Sequence, residues 1–215
     1  MEIDEWMALY GRIVAEFGFD TDSDAESARI LDDLVNGTCD WSALESRIKG
    51  NDVIIAGAAL ETEPPTDGTL IAADGATTPL LNFGFVPDII VTDLDGDVED
   101  QMMCSEGGKS IVVHAHGDNI TAIKEFVPLF HGHVCGTTQV RPFGSLRNFG
   151  GFTDGDRAVM LADELGASSV RLAGFRYDVL GRHSHHRDPV VKMAKLRWAR
   201  EIISSARVTV EYLPL

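Results

Sequence analysis

The stretch Pro87-Asp88-Ile89-Ile90-Val91-Thr92-Asp93-Leu94-Asp95-Gly96-Asp97 decides how the chain is read. Ile89-Ile90-Val91 is a short β-branched run, opened by Pro87 and closed by acidic residues and glycine. That is the pattern of a strand buried on both faces. Asp93, Asp95 and Asp97 follow at alternate positions. If the chain stays extended, all three point to one side, because strand side chains repeat every second residue. Like charges so crowded repel unless a cation sits among them. Oxygen-only donors suit a hard divalent ion such as Mg²⁺, which takes one or two carboxylates and fills its shell with water and phosphate oxygens. The plainer alternative is a solvated acidic turn after a strand.

Outward from this stretch, apolar strands alternate with helical segments. Val53-Ile54-Ile55-Ala56 and Leu70-Ile71-Ala72-Ala73 come before it. Ile111-Val112-Val113, His133-Val134-Cys135, Val170-Arg171-Leu172-Ala173 and Val208-Thr209-Val210 come after. Helical patterns hold Leu80, Leu81 and Phe83, then residues 98–105, then Ile120, Ile123, Phe126 and Val127, then Ala158 to Leu165, and last Val191 to Ser204. Residues 140–152, rich in Gly, Pro, Arg and Asn, read as a loop. This alternation predicts an α/β fold, a mostly parallel sheet with helices on both faces. Residues 1–50 differ. Ile3, Trp6, Met7, Tyr10, Ile13, Val14 and Phe17 recur at helical spacing, and two further helices carry Ala28, Leu31, Leu34 and Val35, then Trp41, Leu44 and Ile48. The expectation is a helical N-terminal segment over 1–50, packed on the sheet of an α/β domain over 51–215.

The chain has 215 residues, 44% hydrophobic and 24% charged, which suits a globular domain with a sizeable core. No apolar run approaches a membrane span, and Met1-Glu2-Ile3-Asp4-Glu5 lacks the basic start of a signal peptide. The expectation is a cytoplasmic protein with no membrane partner. A net charge of −16 disfavours nucleic acid as a partner. Residues 141–215 nevertheless carry 12 Lys and Arg against 8 Asp and Glu, a cationic segment that either faces a polyanion or is an ordinary helix surface, the latter being the better account of Arg197, Arg200 and Arg207. Cys39, Cys104 and Cys135 are odd in number, far apart and without a CxxC pair, so reduced buried thiols are expected.

The strand ends share one regularity. Gly57, Asp74-Gly75, Asp93/Asp95/Asp97, His116/Asp118 and Thr137-Thr138-Gln139 all close predicted strands, and open α/β sheets bind ligands at that edge. Taken singly the signals are weaker. Gly57-Ala58-Ala59 would let backbone N–H groups approach a phosphate, but there is no GxGxxG and no Walker lysine. A calcium loop fails because Leu94 and Gly96 are misplaced and Cys104 stands where a bidentate Glu is required. Asp93-Leu94-Asp95-Gly96 is also similar to the first motif of haloacid-dehalogenase-type phosphatases, with Asp93 as nucleophile. There, however, the motif opens the sheet, whereas two strands precede it here. His114-x-His116-x-Asp118 is similar to a metallo-β-lactamase ligand pair, but Asn119 replaces the next histidine. His183, His185 and His186, with Arg182 and Arg187, read as a polar cationic loop able to cover bound phosphates.

Taken in order, three blocks resemble archaeal-type 6-hydroxymethyl-7,8-dihydropterin diphosphokinases: Ala72-Ala73-Asp74-Gly75-Ala76-Thr77, Pro87 to Asp97, and His114-Ala115-His116-Gly117-Asp118-Asn119. Asn148-Phe149-Gly150-Gly151-Phe152-Thr153-Asp154-Gly155-Asp156-Arg157-Ala158 extends the match, which covers about residues 50–205. More distantly, the first blocks are similar to thiamine pyrophosphokinases, with Thr92 and Gly96 in place of the Gly and Ser that flank the Asp-Leu-Asp core there. The resemblance implies a thiamine-pyrophosphokinase-like catalytic domain. It implies transfer of the β,γ-diphosphate of ATP to the pterin hydroxymethyl group, releasing AMP, with Mg²⁺ required, in tetrahydromethanopterin or folate-type biosynthesis. A homodimer is compatible with the stripe on the first helix. Asp93, Asp95 and Asp118 are the implied catalytic and metal-binding residues, with Asp97 behind them. Gly57, Ala58, Asp74, Gly75 and Thr137 are the nucleotide candidates. Asn148, Asp154 and Asp156 are the pterin candidates, since a carboxylate matches amino and ring N–H donors. Arg182 or Lys192 would neutralise the departing phosphate. The alternatives are thiamine as acceptor, the phosphatase, and a non-catalytic nucleotide-binding module.

Overall fold

The structure, a computed structural model, describes residues 1–177 and 189–214, Pro189 by its backbone alone. Its strands are β1 (Asp52–Ala56), β2 (Thr69–Ala73), β3 (Ile89–Thr92), β4 (Ser110–Ala115), β5 (Val134–Thr138), β6 (Ser169–Ala173) and β7 (Val210–Tyr212). The helices are α1 (Ile3–Phe17), α2 (Thr21–Val35), α3 (Trp41–Ile48), α4 (Thr77–Asn82), α5 (Val98–Glu106), α6 (Ile120–Phe126), α7 (Asp154–Glu164) and α8 (Pro189–Ile203). All seven strands form one parallel sheet in the order β5-β4-β3-β2-β1-β6-β7. The chain builds outward from β1 to β5, then returns to add β6 on the other side of β1. The direction of winding therefore reverses between β1 and β6, and a crevice opens there above the carboxyl ends of the strands.

Successive strand residues serve opposite faces. Val53 and Ile55 enter one core with α1, α3, α7 and α8, while Ile54 and Ala56 enter the other with α2, α4, α5 and α6. Burial on both faces is why the strands read as continuous apolar runs rather than as alternations. The first three helices are thus split between the two cores. Their chain crosses the β5 edge, where the Thr38 hydroxyl donates to the Val134 carbonyl (2.9 Å).

That crossing overturns one expectation. Cys104 is a free buried thiol, but Cys39 and Cys135, 96 residues apart, are joined by a disulfide. Their spacing carries no hint of it, because only the passage of the α2–α3 turn over β5 brings the two together. The last strand also begins two residues later than expected. Val208 and Arg207 instead give their backbone N–H groups to the buried Asp163 carboxylate (2.8 and 3.0 Å), which holds them off the sheet. Among the described residues no helix is long and apolar enough to cross a membrane.

Candidate active site at the strand tips

The chain does not stay extended after β3. It ends at Thr92, and Leu94 turns into the left-handed region (φ 68°). Two anchors hold this turn: Thr92 Oγ1 accepts from the Leu94 N–H (2.8 Å), and the Leu94 side chain is buried in the α2-side core. In consequence Asp93 and Asp95 converge, while Asp97 is carried off to cap α5, accepting from the Asp100 N–H (3.5 Å). The third carboxylate comes from β2. Asp74, itself at φ 40°, opens a short 3-10 turn, and its Oδ1 accepts from the Thr92 hydroxyl (2.5 Å) and from Gln101 Nε2 (2.9 Å). One oxygen each from Asp74, Asp93 and Asp95 lies within 4.8 Å of the others. A Cβ at Gly96 would collide with the Asp74 carboxylate, so the absence of a side chain there leaves that carboxylate its place in the cluster.

Burial pushes the Asp74 carboxyl well above its ordinary range, reinforced by the charges of Asp154, Asp93 and Asp95. Asp154 is raised in the same way, by burial and then by Asp93, and Asp95 is raised by burial and then by Asp93. For Asp93 burial also acts upward, but the hydrogen bond and charge of His116, with Arg157, together outweigh it and hold it far below the usual range. Asp93 Oδ2 lies 3.5 Å from His116 Nε2 and 3.9 Å from Arg157 Nη1, while Oδ1 is buried with no hydrogen-bond partner among the described residues. His116 Nδ1 accepts from the Asp118 N–H (3.3 Å), which leaves Nε2 to carry the proton toward Asp93. Three mutually repelling carboxylates and one unsatisfied buried oxygen form a hard-oxygen donor set, and it fits Mg²⁺.

The cluster floors a cleft of about 120 Å³ at the β1/β6 reversal. Ala58 and Ala59 after β1 and Gly174 to Tyr177 after β6 wall it, and α8 presents Lys192 and Lys195. The two loops meet closely, since a Cβ at Gly57 would press on the Gly174 carbonyl (2.8 Å) and the Phe175 ring (2.9 Å). A second cleft of about 100 Å³ opens from the same junction toward α2, lined by Phe19, Asp24, His116, Asp118 and Gln139. Asp93, Phe152 and Lys195 border both clefts. The Lys195 ammonium sits 5.5 Å from the Phe152 ring centre and 5.9 Å from that of Phe19, and burial lowers its pKa. It makes no ion pair among the described residues.

The expected site residues divide accordingly. Asp93, Asp95, Asp74, Gly75 and Ala58 line the first cleft, whereas Gly57 does not line it and packs against Gly174 and Phe175 of its wall. Asp154 joins them and is tied to Arg157 (3.0 Å). Asp118 is exposed beside the second cleft and outside the carboxylate cluster. Thr137 is buried, donating to the Val113 carbonyl (3.2 Å) and contacting His114 Nδ1 (3.1 Å). Asn148 is spent within its own loop, on the Val140 carbonyl and the Gly150 N–H (2.8 Å each). Asp156 borders the first cleft but is fully buried, its oxygens taken by the N–H groups of Phe152 (2.6 Å) and Thr153 (2.8 Å). Arg182, with His183, His185 and His186, lies outside the described residues.

Three residues escaped the sequence reading. Lys195 stands one helical turn after Lys192, a spacing that puts both on one face of α8 and was there to be read. Arg157 had no signal beyond its place in the Asp154–Arg157 block. Asn119 donates from Nδ2 to the Asp93 carbonyl (2.9 Å) and the His114 carbonyl (2.7 Å), locking the tips of β3 and β4 together, and nothing in the pattern marks it for that.

Comparison with known proteins gives this geometry a family. A family profile described as 6-hydroxymethylpterin diphosphokinase MptE-like matches residues 40–179. Proteins named 6-hydroxymethyl-7,8-dihydropterin pyrophosphokinase are similar nearly end to end. That of Methanothermobacter thermautotrophicus is 42% identical over 94% of each chain. That of Pyrococcus furiosus is 40% identical over 94% of this chain and 93% of its own. That of Methanocaldococcus jannaschii is 35% identical over 99% and 100%. Among solved structures, the MAf glycosyltransferase from Magnetospirillum magneticum AMB-1 shares the fold alone. Its TM-score is 0.56 at 14% identity, and the match covers 91% of this chain but only 38% of that longer one. The chain therefore belongs to the 6-hydroxymethylpterin diphosphokinase MptE-like family.

Proposed function

We propose that this transferase moves the β,γ-diphosphate of ATP to the hydroxymethyl group of 6-hydroxymethyl-7,8-dihydropterin, releasing AMP. The observation that carries the reading is the convergence of Asp74, Asp93 and Asp95 beside the lysines of the β1/β6 cleft. The relatives' names supply the acceptor. The acceptor hydroxyl oxygen bonds to the β-phosphorus as the bond from that phosphorus to the α–β bridging oxygen breaks. AMP departs with the bridging oxygen, and the hydroxyl proton passes to a carboxylate lining the clefts other than Asp93, which is held too acidic to keep it.

Phosphoryl transfer asks little covalent chemistry of the protein, so positioning and charge are what the side chains contribute. Asp74, Asp93 and Asp95 would hold Mg²⁺, which supplies the positive charge that draws triphosphate oxygens together and offsets the charge at the attacked phosphorus. His116, Arg157 and Asn119 fix Asp93 from its side chain and its carbonyl. Lys192 and Lys195 counter the charge of the polyphosphate. Such a product belongs to tetrahydromethanopterin or folate-type biosynthesis in the cytoplasm.

The test is a product assay by mass with ATP, Mg²⁺ and the dihydropterin. AMP and the pterin diphosphate are expected in equal amounts. Steady ADP formation would overturn the reading, and diphosphorylation of thiamine instead would keep the chemistry and replace the acceptor.

A further inference from the structure

We infer that the acceptor heterocycle binds in the cleft against α2, on the other branch of the Asp93 junction from the triphosphate. The inference rests on the diphosphotransfer reading above and adds the division of the site between its two substrates. Transfer requires donor and acceptor to meet at one phosphorus, and the two clefts meet at Asp93, Phe152 and Lys195.

Their chemistry separates them. The cleft at the β1/β6 reversal holds Lys192 and Lys195, a wall of closely approaching backbone and the converging carboxylates of Asp74, Asp93 and Asp95, which together suit a polyanion carried with a divalent ion. Among the described residues, the α2-side cleft has its Lys and Arg cations, Arg157 and Lys195, only at the junction. Beyond them it offers acceptors: the carboxylates of Asp20, Asp24 and Asp118 and the buried amide of Gln139. A triphosphate would be repelled there. A flat heterocycle with amino and ring N–H donors, a 2-amino-4-oxopyrimidine edge, is matched.

Asp24 is held in position for this role. It is 3% exposed, its Oδ1 accepts from the Gly117 N–H (2.7 Å), and its Oδ2 accepts from the Tyr10 hydroxyl. Each oxygen keeps a second lone pair. Phe19 and Phe152, with ring centres 6.0 Å apart and planes tilted by 53°, form an aromatic corner in which a planar ring can stack on one and meet the edge of the other. Phe19, Asp20 and Asp24 all come from the start of α2 and the turn before it. The N-terminal helices thereby acquire a task, choice of the acceptor, which their apolar stripes do not reveal.

The experiment separates binding from turnover. Fluorescence titration follows 6-hydroxymethylpterin, and calorimetry follows α,β-methylene-ATP, whose bridging carbon blocks cleavage. Both are measured on the wild type, Phe19→Ala and Ala58→Trp, with folding checked by circular dichroism. Phe19→Ala is expected to weaken the pterin about 10-fold or more and to leave the ATP analogue within about twofold. Ala58→Trp is expected to do the reverse. If Phe19→Ala does not fold, the exposed Asp118→Asn carries the same expectation at about threefold. Loss of the ATP analogue with the pterin spared in Phe19→Ala or Asp118→Asn would overturn the division, and so would normal pterin binding in both. Those outcomes leave AMP formation by the wild type intact. A wild type that forms no AMP with the dihydropterin removes the parent reading itself.

Discussion

At the residue scale the site depends on two backbone conformations that side chains rarely adopt, Asp74 at φ 40° and Leu94 at φ 68°. Each costs of order 1–3 kcal/mol and persists only where the surroundings over-determine it. Here the burial of Leu94 and the paired bonds of Thr92 do so. Gly96 is a different case. Its own φ is not in the left-handed region, so alanine meets no backbone penalty there, only the Asp74 carboxylate. Gly96→Ala is therefore expected to move Asp74 without unfolding the turn. The predicted result is a fall in kcat of about 10- to 100-fold, a rise in the Mg²⁺ concentration giving half-maximal rate, and a nearly unchanged melting temperature. Steady-state kinetics against Mg²⁺ and a thermal melt check all three. A large drop in melting temperature at unchanged kcat would mean that the collision is absorbed elsewhere.

At the scale of elements, most of the architecture is legible because burial on both faces forces a strand to be apolar throughout. Ile89-Ile90-Val91 could be recognised for that reason, as could the stripe of α1, where Trp6, Tyr10 and Ile13 are the buried positions. The tips are less legible. Alternation after β3 suggested three carboxylates from one strand, but alternation is a property of extended chain and Leu94 ends it. Asp97 leaves, and Asp74 arrives from the neighbouring strand, a substitution that depends on tertiary position alone. Asn148 and Asp156 show the same limit from the other side: residue type marks them as ligands for a pterin, while local hydrogen bonds consume them. The disulfide is a third instance, and it carries its own prediction. Closing a loop across 96 residues removes unfolded-state entropy worth about 4–5 kcal/mol. Cys39→Ser, or reduction of the wild type, should lower the denaturant midpoint accordingly and leave the double variant of Cys39 and Cys135 insensitive to reductant. Identical midpoints with and without reductant would show that the bridge does not contribute in solution.

At the scale of the whole molecule, a net charge of −16 and a cluster of three carboxylates set two different responses to cations. Diffuse repulsion among surface acids is relieved by any salt, since at about 0.1 M ionic strength charges more than about 10 Å apart are largely screened. Repulsion inside the cluster is not, because its members lie within 4.8 Å of one another and are partly enclosed. A divalent ion bound there stabilises the folded state by mass action, by about 2.7 kcal/mol at a hundredfold excess over its dissociation constant. For a chain of 215 residues that corresponds to a melting temperature higher by about 5–10 °C. The measurement is a pair of melts, one in MgCl₂ and one in KCl at the same ionic strength, each repeated with EDTA. The wild type should show the extra rise in MgCl₂ only, and EDTA should abolish it. Asp95→Asn removes one of the repelling charges, so its metal-free form should melt no lower than the wild type, while its Mg²⁺-specific rise should largely disappear. Equal shifts in MgCl₂ and KCl would assign the stabilisation to general screening and leave the three carboxylates without a resident cation.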